Sequence, residues 1–135
     1  MVRKHPKLNY CAKGLETVRA DLLHVIDYQY AGKDIEITIE QPEYTSVCPM
    51  TGLPDFGKIT INYIPDQKLV ELKSLKFYLL QYRDVGIFYE HVVNLILNHL
   101  VEKLHPKEMA VSGEFTARGG ITTRVKAAYE KQRGR

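Results

Sequence analysis

Ile35-Glu36-Ile37-Thr38-Ile39-Glu40 and Ile59-Thr60-Ile61-Asn62-Tyr63 are the two stretches that decide the fold. In each, apolar and polar residues alternate with a period of two, the pattern of a strand buried on one face. Gln41 to Gly57 lies between them and carries Pro42, Pro49, Gly52, Pro54 and Gly57, so it reads as a long turn-rich loop. Pro65 and Asp66 end the second strand.

Beyond Asp66 the period changes. Leu72, Leu75, Leu79 and Tyr82 recur at i, i+3, i+7 and i+10, which predicts an amphipathic helix over Glu71 to Arg83. Asp84 and Gly86 break it. A second helix is expected from about Ile87 to Leu104, with Val93, Leu97, Leu100, Val101 and Leu104 on one side and Pro106 as its stop. Two further alternating stretches follow, on Met109, Val111, Gly113 and Phe115 and on Ile121, Thr123, Val125 and Ala127, with Arg118-Gly119-Gly120 as the turn. The order strand, strand, helix, helix, strand, strand implies an α+β class: a four-stranded antiparallel sheet with two helices on one face. The other face has no helices, and apolar Ile64 and Ala110 on it hint at cover by another subunit. Residues 1–33 show no clean period and are read as an arm, which leaves 34–135 as the folded domain.

Composition narrows the function classes. A chain of 135 residues fits one domain. A net charge of +3, partly in the tail at Lys131, Arg133 and Arg135, demands no nucleic acid, and no basic stripe tracks a phosphate backbone. Two cysteines, Cys11 and Cys48, are too few for a disulfide framework or a four-cysteine zinc site. The polar start, Met1 to Tyr10, lacks a signal-peptide core, and no apolar run approaches the roughly 20 residues of a membrane span. The expectation is a cytoplasmic protein with free thiols and no membrane partner.

Several residues carry possible chemistry. Cys48 sits in the loop with Asp55 seven residues on, and the intervening prolines and glycines fold the segment back. A nucleophile beside an acid/base group is what covalent catalysis needs, though spacing alone equally fits an inert cysteine and a turn aspartate. Lys73 and Lys76, beside Ser74 at the start of the first helix, suit a phosphate, or a solvated face with Glu71 as partner. Glu90 in the first turn of the second helix either stabilises that terminus or accepts paired N–H groups from a purine-like edge. Arg118-Gly119-Gly120 offers a guanidinium and open amides to a phosphate, or is only a hairpin turn. His91 and His99 are eight apart, whereas helical metal pairs sit four apart, so no metal is expected.

Taken together these pieces resemble the 7-cyano-7-deazaguanine reductase family of queuosine biosynthesis, in its short single-module form, over Ile35 to Ile121. Glu71-Leu72-Lys73-Ser74-Leu75-Lys76-Phe77-Tyr78 looks like the family signature E-[SL]-K-[SA]-hydrophobic-K-[LY]-aromatic, tied to NADPH use, with only Phe77 departing. Cys48-Pro49-Met50-Thr51-Gly52-Leu53-Pro54-Asp55 and Arg118-Gly119-Gly120-Ile121 match as well. The resemblance implies the tunnelling fold, whose subunits form rings around a barrel made from their sheets, and a decamer of two stacked pentameric rings. It implies reduction of the nitrile of a free deazapurine to an aminomethyl group by two NADPH, with no direct nucleic-acid contact. Cys48 would form a thioimidate and Asp55 would supply the proton. Glu90 would hold the pyrimidine edge. Lys73, Lys76 and Arg118, with Gly119 and Gly120, would hold cofactor phosphates, and Ser74 is a further candidate there. The family usually has His before that Glu; here Tyr89 stands in its place, with His91 after. Tyr89 must then act through its hydroxyl, because adjacent helix residues point about 100° apart and His91 does not simply substitute.

Three other readings compete. A related transferase captures a nitrile on tRNA without NADPH, but lacks the lysine-rich helix. A cyclohydrolase on the same fold needs a zinc ligand set that is missing here. The third is a non-catalytic, oligomeric purine-binding module.

Overall fold

The computed structural model describes residues 12–132; expectations placed on Met1 to Cys11, Arg133 and Arg135 lie outside the described residues. In chain order the elements are β1 (Val25–Asp27), β2 (Ile37–Val47), β3 (Pro54–Ile64), β4 (Lys68–Val70), α1 (Leu72–Leu80), α2 (Tyr89–Leu104), β5 (Glu108–Arg118) and β6 (Ile121–Glu130). The antiparallel sheet runs β2-β3-β5-β6, with α2 packed against β5 and β6 and α1 against β2. This is the expected α+β arrangement. β1 and β4 form a separate two-stranded sheet, so the N-terminal stretch contributes structure that its sequence did not signal: Leu23 and Tyr28 are buried.

The predicted loop from Gln41 to Gly57 is mostly strand. Gln41 pairs with Ile59 and Tyr44 with Gly57, so Pro42 and Glu43 together oppose the single residue Lys58. This is a β-bulge, and its extra residue exchanges the faces of everything beyond it. Ile37, Ile39 and Gln41 lie on the inner face; past the bulge Tyr44 and Ser46 take it, both buried. A second bulge lies in β5. Phe115 pairs with Thr123 and Arg118 with Ile121, so Thr116 and Ala117 oppose Thr122 alone. By the same parity Arg118 turns to the inner face with Phe115. Gly119 and Gly120, with φ 56° and 81°, close the two-residue turn that this pairing demands.

The helices are shorter than predicted. Glu71 is the cap of α1: its carboxylate accepts from the amides of Lys73 (3.2 Å) and Ser74 (2.6 Å). Helical turns then tighten into a 3₁₀ turn over Gln81–Asp84. α2 starts at Tyr89 and stops at His105, which is left-handed (φ 45°), one residue before Pro106. Its inner stripe is Val92, Val93, Ile96, Leu97, Leu100 and Leu104.

The face without helices is polar rather than apolar, which removes the hydrophobic ground for expecting a partner there. Lys58 reaches Glu40 (3.8 Å) and Glu114 (3.3 Å), and Arg124 reaches Glu114 (3.5 Å), so charges of alternating sign cross all four strands. The helix-covered face holds the core. Within it Tyr78 bonds both Tyr82 (2.7 Å) and His99 Nδ1 (2.6 Å), which satisfies two buried phenols. Burial lowers the proton affinity of His99 against a smaller opposing pull from Glu102.

Two predictions follow from this packing. A Cβ on Gly113 would lie 2.6 Å from the Phe115 ring and 3.2 Å from Val93. That ring is wedged by Tyr89 and Tyr44 and has no room to yield. Gly113→Ala should therefore cost about 1–3 kcal/mol in urea unfolding. His99 binds its proton less readily in the fold than at its ordinary value of 6.5, so the unfolded chain takes up more protons as pH falls through that value. Stability should decline between about pH 7 and about pH 5, and His99→Asn should flatten that part of the unfolding profile.

Candidate active site

The open end of the β2–β3 hairpin gathers the chemistry. The alternation set by the β2 bulge runs through Tyr44 and Ser46 to Cys48, just past the strand. The turn beyond it is tied to itself: Cys48 N–H donates to Leu53 O, and Gly52 N–H donates to Cys48 O, each at 2.8 Å. Gly52 adopts φ 74°, where a side chain is disfavoured. Cys48 is half-buried and free. On the facing strand Asp55 pairs directly with Ser46 and shares the inner face, only 4% exposed.

Two other elements are brought to this carboxylate. Val47 runs parallel to residues 85–87, donating to Val85 O (2.9 Å) and accepting from Ile87 N–H (3.1 Å). That tie starts α2 beside the hairpin. The Tyr89 ring lies flat on Phe115, centroids 3.8 Å apart and planes 8° from parallel, and its hydroxyl donates to Asp55 Oδ1 at 2.8 Å. From the β5 bulge Arg118 Nη2 approaches the same oxygen at 2.7 Å and donates to Pro54 O at 3.0 Å.

These neighbours set the protonation states. Burial pushes the Cys48 thiol up, but the Thr51 hydroxyl, the amides of Met50 and Thr51, and Arg118 together outweigh it, so the thiol loses its proton below the usual cysteine range. Tyr89 is pushed up to about 12 by burial and by Asp55, with Arg118 opposing; it is a neutral hydroxyl donor at physiological pH. Arg118 binds the carboxylate and also favours the thiolate, and Cys48 follows on the inner face from Ser46, the ladder partner of Asp55.

Of the residues named from sequence, Cys48, Asp55, Tyr89 and Arg118 converge. Arg118 sits on the acid rather than standing free for a phosphate. Glu90 and His91 are exposed on the same turn as Tyr89, His91 edge-on to Phe88, and neither bonds a member of the cluster. Lys73 and Lys76 are exposed on α1 and make no ion pair among the described residues. Ser74 is buried; its hydroxyl donates to Glu71 O (2.7 Å) and accepts from His24 N–H (2.9 Å), which docks the β1 segment on α1. Gly119 and Gly120 are exposed with open space around them. Sequence reasoning missed Phe115 as the platform for Tyr89 and Thr51 as a thiol partner. Phe115 carried only a strand signal, and Thr51 stood unremarked inside the quoted turn. Among the described residues no group of three His, Cys, Asp or Glu is set to hold a metal, and no helix is long and apolar enough to cross a membrane.

The QueF-like protein family matches residues 54–134. The NADPH-dependent 7-cyano-7-deazaguanine reductase of Prosthecochloris aestuarii is 53% identical over 112 residues, 83% of this chain and 95% of its own. That of Thermoanaerobacter pseudethanolicus is 50% identical over 133 residues, 98% of this chain and 100% of its own. Among solved structures, the archaeosine synthase QueF-Like in the apo form superposes with a TM-score of 0.63 over 74% of this chain and 96% of that one, at 19% identity. At that identity the superposition speaks for the fold alone, the tunnelling fold. Half the residues shared along nearly the full length decide the rest: the chain belongs to the family of the NADPH-dependent 7-cyano-7-deazaguanine reductases.

Proposed function

We propose that this protein reduces the nitrile of 7-cyano-7-deazaguanine to an aminomethyl group with two NADPH, in queuosine biosynthesis, through a thioimidate on Cys48. The observation that carries the reading is positional: Cys48 follows Ser46 on the inner face at the head of its tied turn, and Ser46 pairs with Asp55, which Arg118 and Tyr89 both meet at one oxygen. A nitrile is a weak electrophile, and a thiolate is a strong nucleophile available near neutral pH. Cys48 Sγ bonds to the nitrile carbon, one C–N π bond breaks, and nitrogen takes a proton. That proton is the one the thiol gave up, passed through Asp55, so the addition needs no outside acid. Tyr89, neutral and bonded to Asp55, provides a hydroxyl for the proton transfers that accompany each reduction and stands where relatives carry His.

The exposed face of α1 fits NADPH. Lys73 and Lys76 are exposed one turn apart and make no ion pair among the described residues, with exposed Phe77 beside them. Because Glu71 occupies the helix-terminal amides, phosphate charge falls to the lysines, with the open Gly119-Gly120 turn as a second contact. Ser74 turns its hydroxyl to Glu71 O and the His24 amide, so on this reading it holds α1 in place rather than touching phosphate. Bound there, NADPH would supply the hydrides; after the first, the C–S bond must break, returning the thiolate to Cys48 and leaving a C=N bond for the second. Glu90, solvent-facing on the turn after Tyr89, is positioned to accept paired N–H groups of the pyrimidine edge, and His91 borders the same opening. The transferase reading is disfavoured by the intact lysine helix.

The reading extends to a homo-oligomer, a decamer of two pentameric rings. Both outer strands, β2 and β6, leave long backbone edges open, which invites sheet-to-sheet pairing. The charged helix-free face suits a water-filled barrel interior. Met50, Leu53, Phe56 and Ile121, all exposed around the catalytic end, offer apolar surface for a neighbouring subunit.

Intact-mass spectrometry with the nitrile and no NADPH should show one adduct per chain, absent in Cys48→Ala; NADPH oxidation, read at 340 nm, should be lost in the same variant. Covalent capture without NADPH oxidation by the unmutated protein would establish the transferase instead. The rate of Cys48 alkylation should reach half its plateau below the ordinary thiol value of 9.0, and Thr51→Val should move that midpoint upward because it deletes a donor to the thiolate.

A further inference from the structure

Beneath Asp55 lie two hydroxyls that the mechanism does not use. Ser46 has no exposed surface and Tyr44 is 3% exposed, yet among the described residues neither Tyr44 Oη nor Ser46 Oγ has a hydrogen-bond partner. Buried hydroxyls of native proteins are nearly always paired, because an unpaired one forfeits its hydration without return. The β2 bulge turns both to the inner face. Ser46 stands directly across the ladder from Asp55, and Tyr44 stands across from Gly57, where no side chain intervenes. The Tyr44 ring is fixed between Tyr82 (centroids 6.1 Å) and Phe115 (6.0 Å, edge-on). Its phenol is driven well above its ordinary value by burial, with Ser46 the largest opposing influence and Tyr82, Asp55 and Tyr89 adding to the rise. Ser46 Oγ is near enough to Tyr44 Oη to ease that rise, yet the two form no hydrogen bond of ordinary length and angle, and Ser46 stands across the ladder from Asp55.

We propose that Tyr44 and Ser46 hold one buried water and through it brace Asp55, which makes them positioning residues for the reaction. Tyr89 and Arg118 both bond Oδ1 of Asp55 and leave Oδ2 to a different partner. A water touching Tyr44 Oη, Ser46 Oγ and Asp55 Oδ2 has three polar partners, the usual number for a buried water. It fixes the carboxylate plane, so that Oδ1 stays aimed at the opening where thiol and nitrile meet. The pair touches neither substrate nor cofactor. The inference rests on Asp55 handling the proton as described above.

The test uses the full-length protein with 7-cyano-7-deazaguanine and NADPH. Tyr44→Phe, which keeps ring and packing, should lower kcat by about tenfold and leave KM unchanged, since only the placement of the acid is lost. Ser46→Ala should do the same. The double variant should be no slower than either single one, because both changes evict the same water. A crystal structure of the unmutated protein at high resolution should show density between the three oxygens. The inference is overturned if kcat holds while melting temperature rises, the mark of two merely unsatisfied groups relieved. It is equally overturned by fully additive losses in the double variant, or by Tyr44 Oη bonding Ser46 directly with no density between. Failure of the parent reading is separate: the unmutated protein would then oxidise no NADPH with this nitrile, whereas the crystallographic water is read without turnover.

Discussion

Asp55 is a carboxyl group the sheet buries, and a buried carboxyl group left without hydrogen-bond partners is costly. Arg118 at 2.7 Å and Tyr89 at 2.8 Å meet it, from strands and helices far away in the chain. Each irregularity at this end of the molecule serves that meeting. The β5 bulge turns Arg118 inward. The parallel tie of Val47 to residues 85–87 starts α2 where Tyr89 reaches the acid. Phe115 supplies the flat surface that orients the Tyr89 ring, and Gly113 leaves space for Phe115. Take away the guanidinium and the cost is not one surface ion pair but a charge left uncompensated inside the fold.

The bulges also explain how far the sequence could be read. Period-two alternation was plain on both sides of the hairpin and in β5 and β6, and period 3.6 marked both helices, because those segments obey one face rule throughout. Alternation fails at Pro42 and Glu43, where two residues oppose one. A reading that follows the period loses the strand there, although Tyr44, Thr45, Ser46 and Val47 are all good strand formers. Pro42 reinforced the error: it reads as a turn signal but is tolerated on an edge strand, which β2 is. β1 was invisible for a different reason. Three exposed residues paired only with β4 carry no face pattern, and its docking depends on Ser74 and on buried Leu23, far away in sequence or outside the strand.

The site shows the same division. Cys48 and Asp55 were legible because one turn-rich segment holds both. Arg118 was legible as a residue of interest but not as the partner of Asp55, since that contact spans more than sixty residues and depends on bulge parity. Ser74 reads as a phosphate candidate through its two neighbouring lysines. Only the structure shows that its hydroxyl turns inward while Lys73 and Lys76 face solvent. Glu71 was read as a local partner for lysine, whereas its carboxylate closes the helix terminus, and this shifts the burden of phosphate binding from backbone amides to side chains.

A nucleophilic thiol faces a compromise that this arrangement addresses. A thiolate that is stabilised too well is abundant but sluggish, since nucleophilicity falls with proton affinity. Had Arg118 been committed to Cys48 alone, the thiolate would be formed readily and attack poorly. Here the guanidinium is already engaged by Asp55 and Pro54 O, and it contributes least among the four influences that favour the thiolate; the Thr51 hydroxyl and the turn amides contribute more. Neutral donors of this kind lower the proton affinity in modest steps. Burial acts the other way and keeps the remaining charge reactive. The thiol is thus set by a balance of a tight turn against partial desolvation, and the Asp55 carboxylate lies under the guanidinium that also favours the thiolate. Arg118 thus links the two groups weakly, while the Thr51 turn sets the thiol largely on its own.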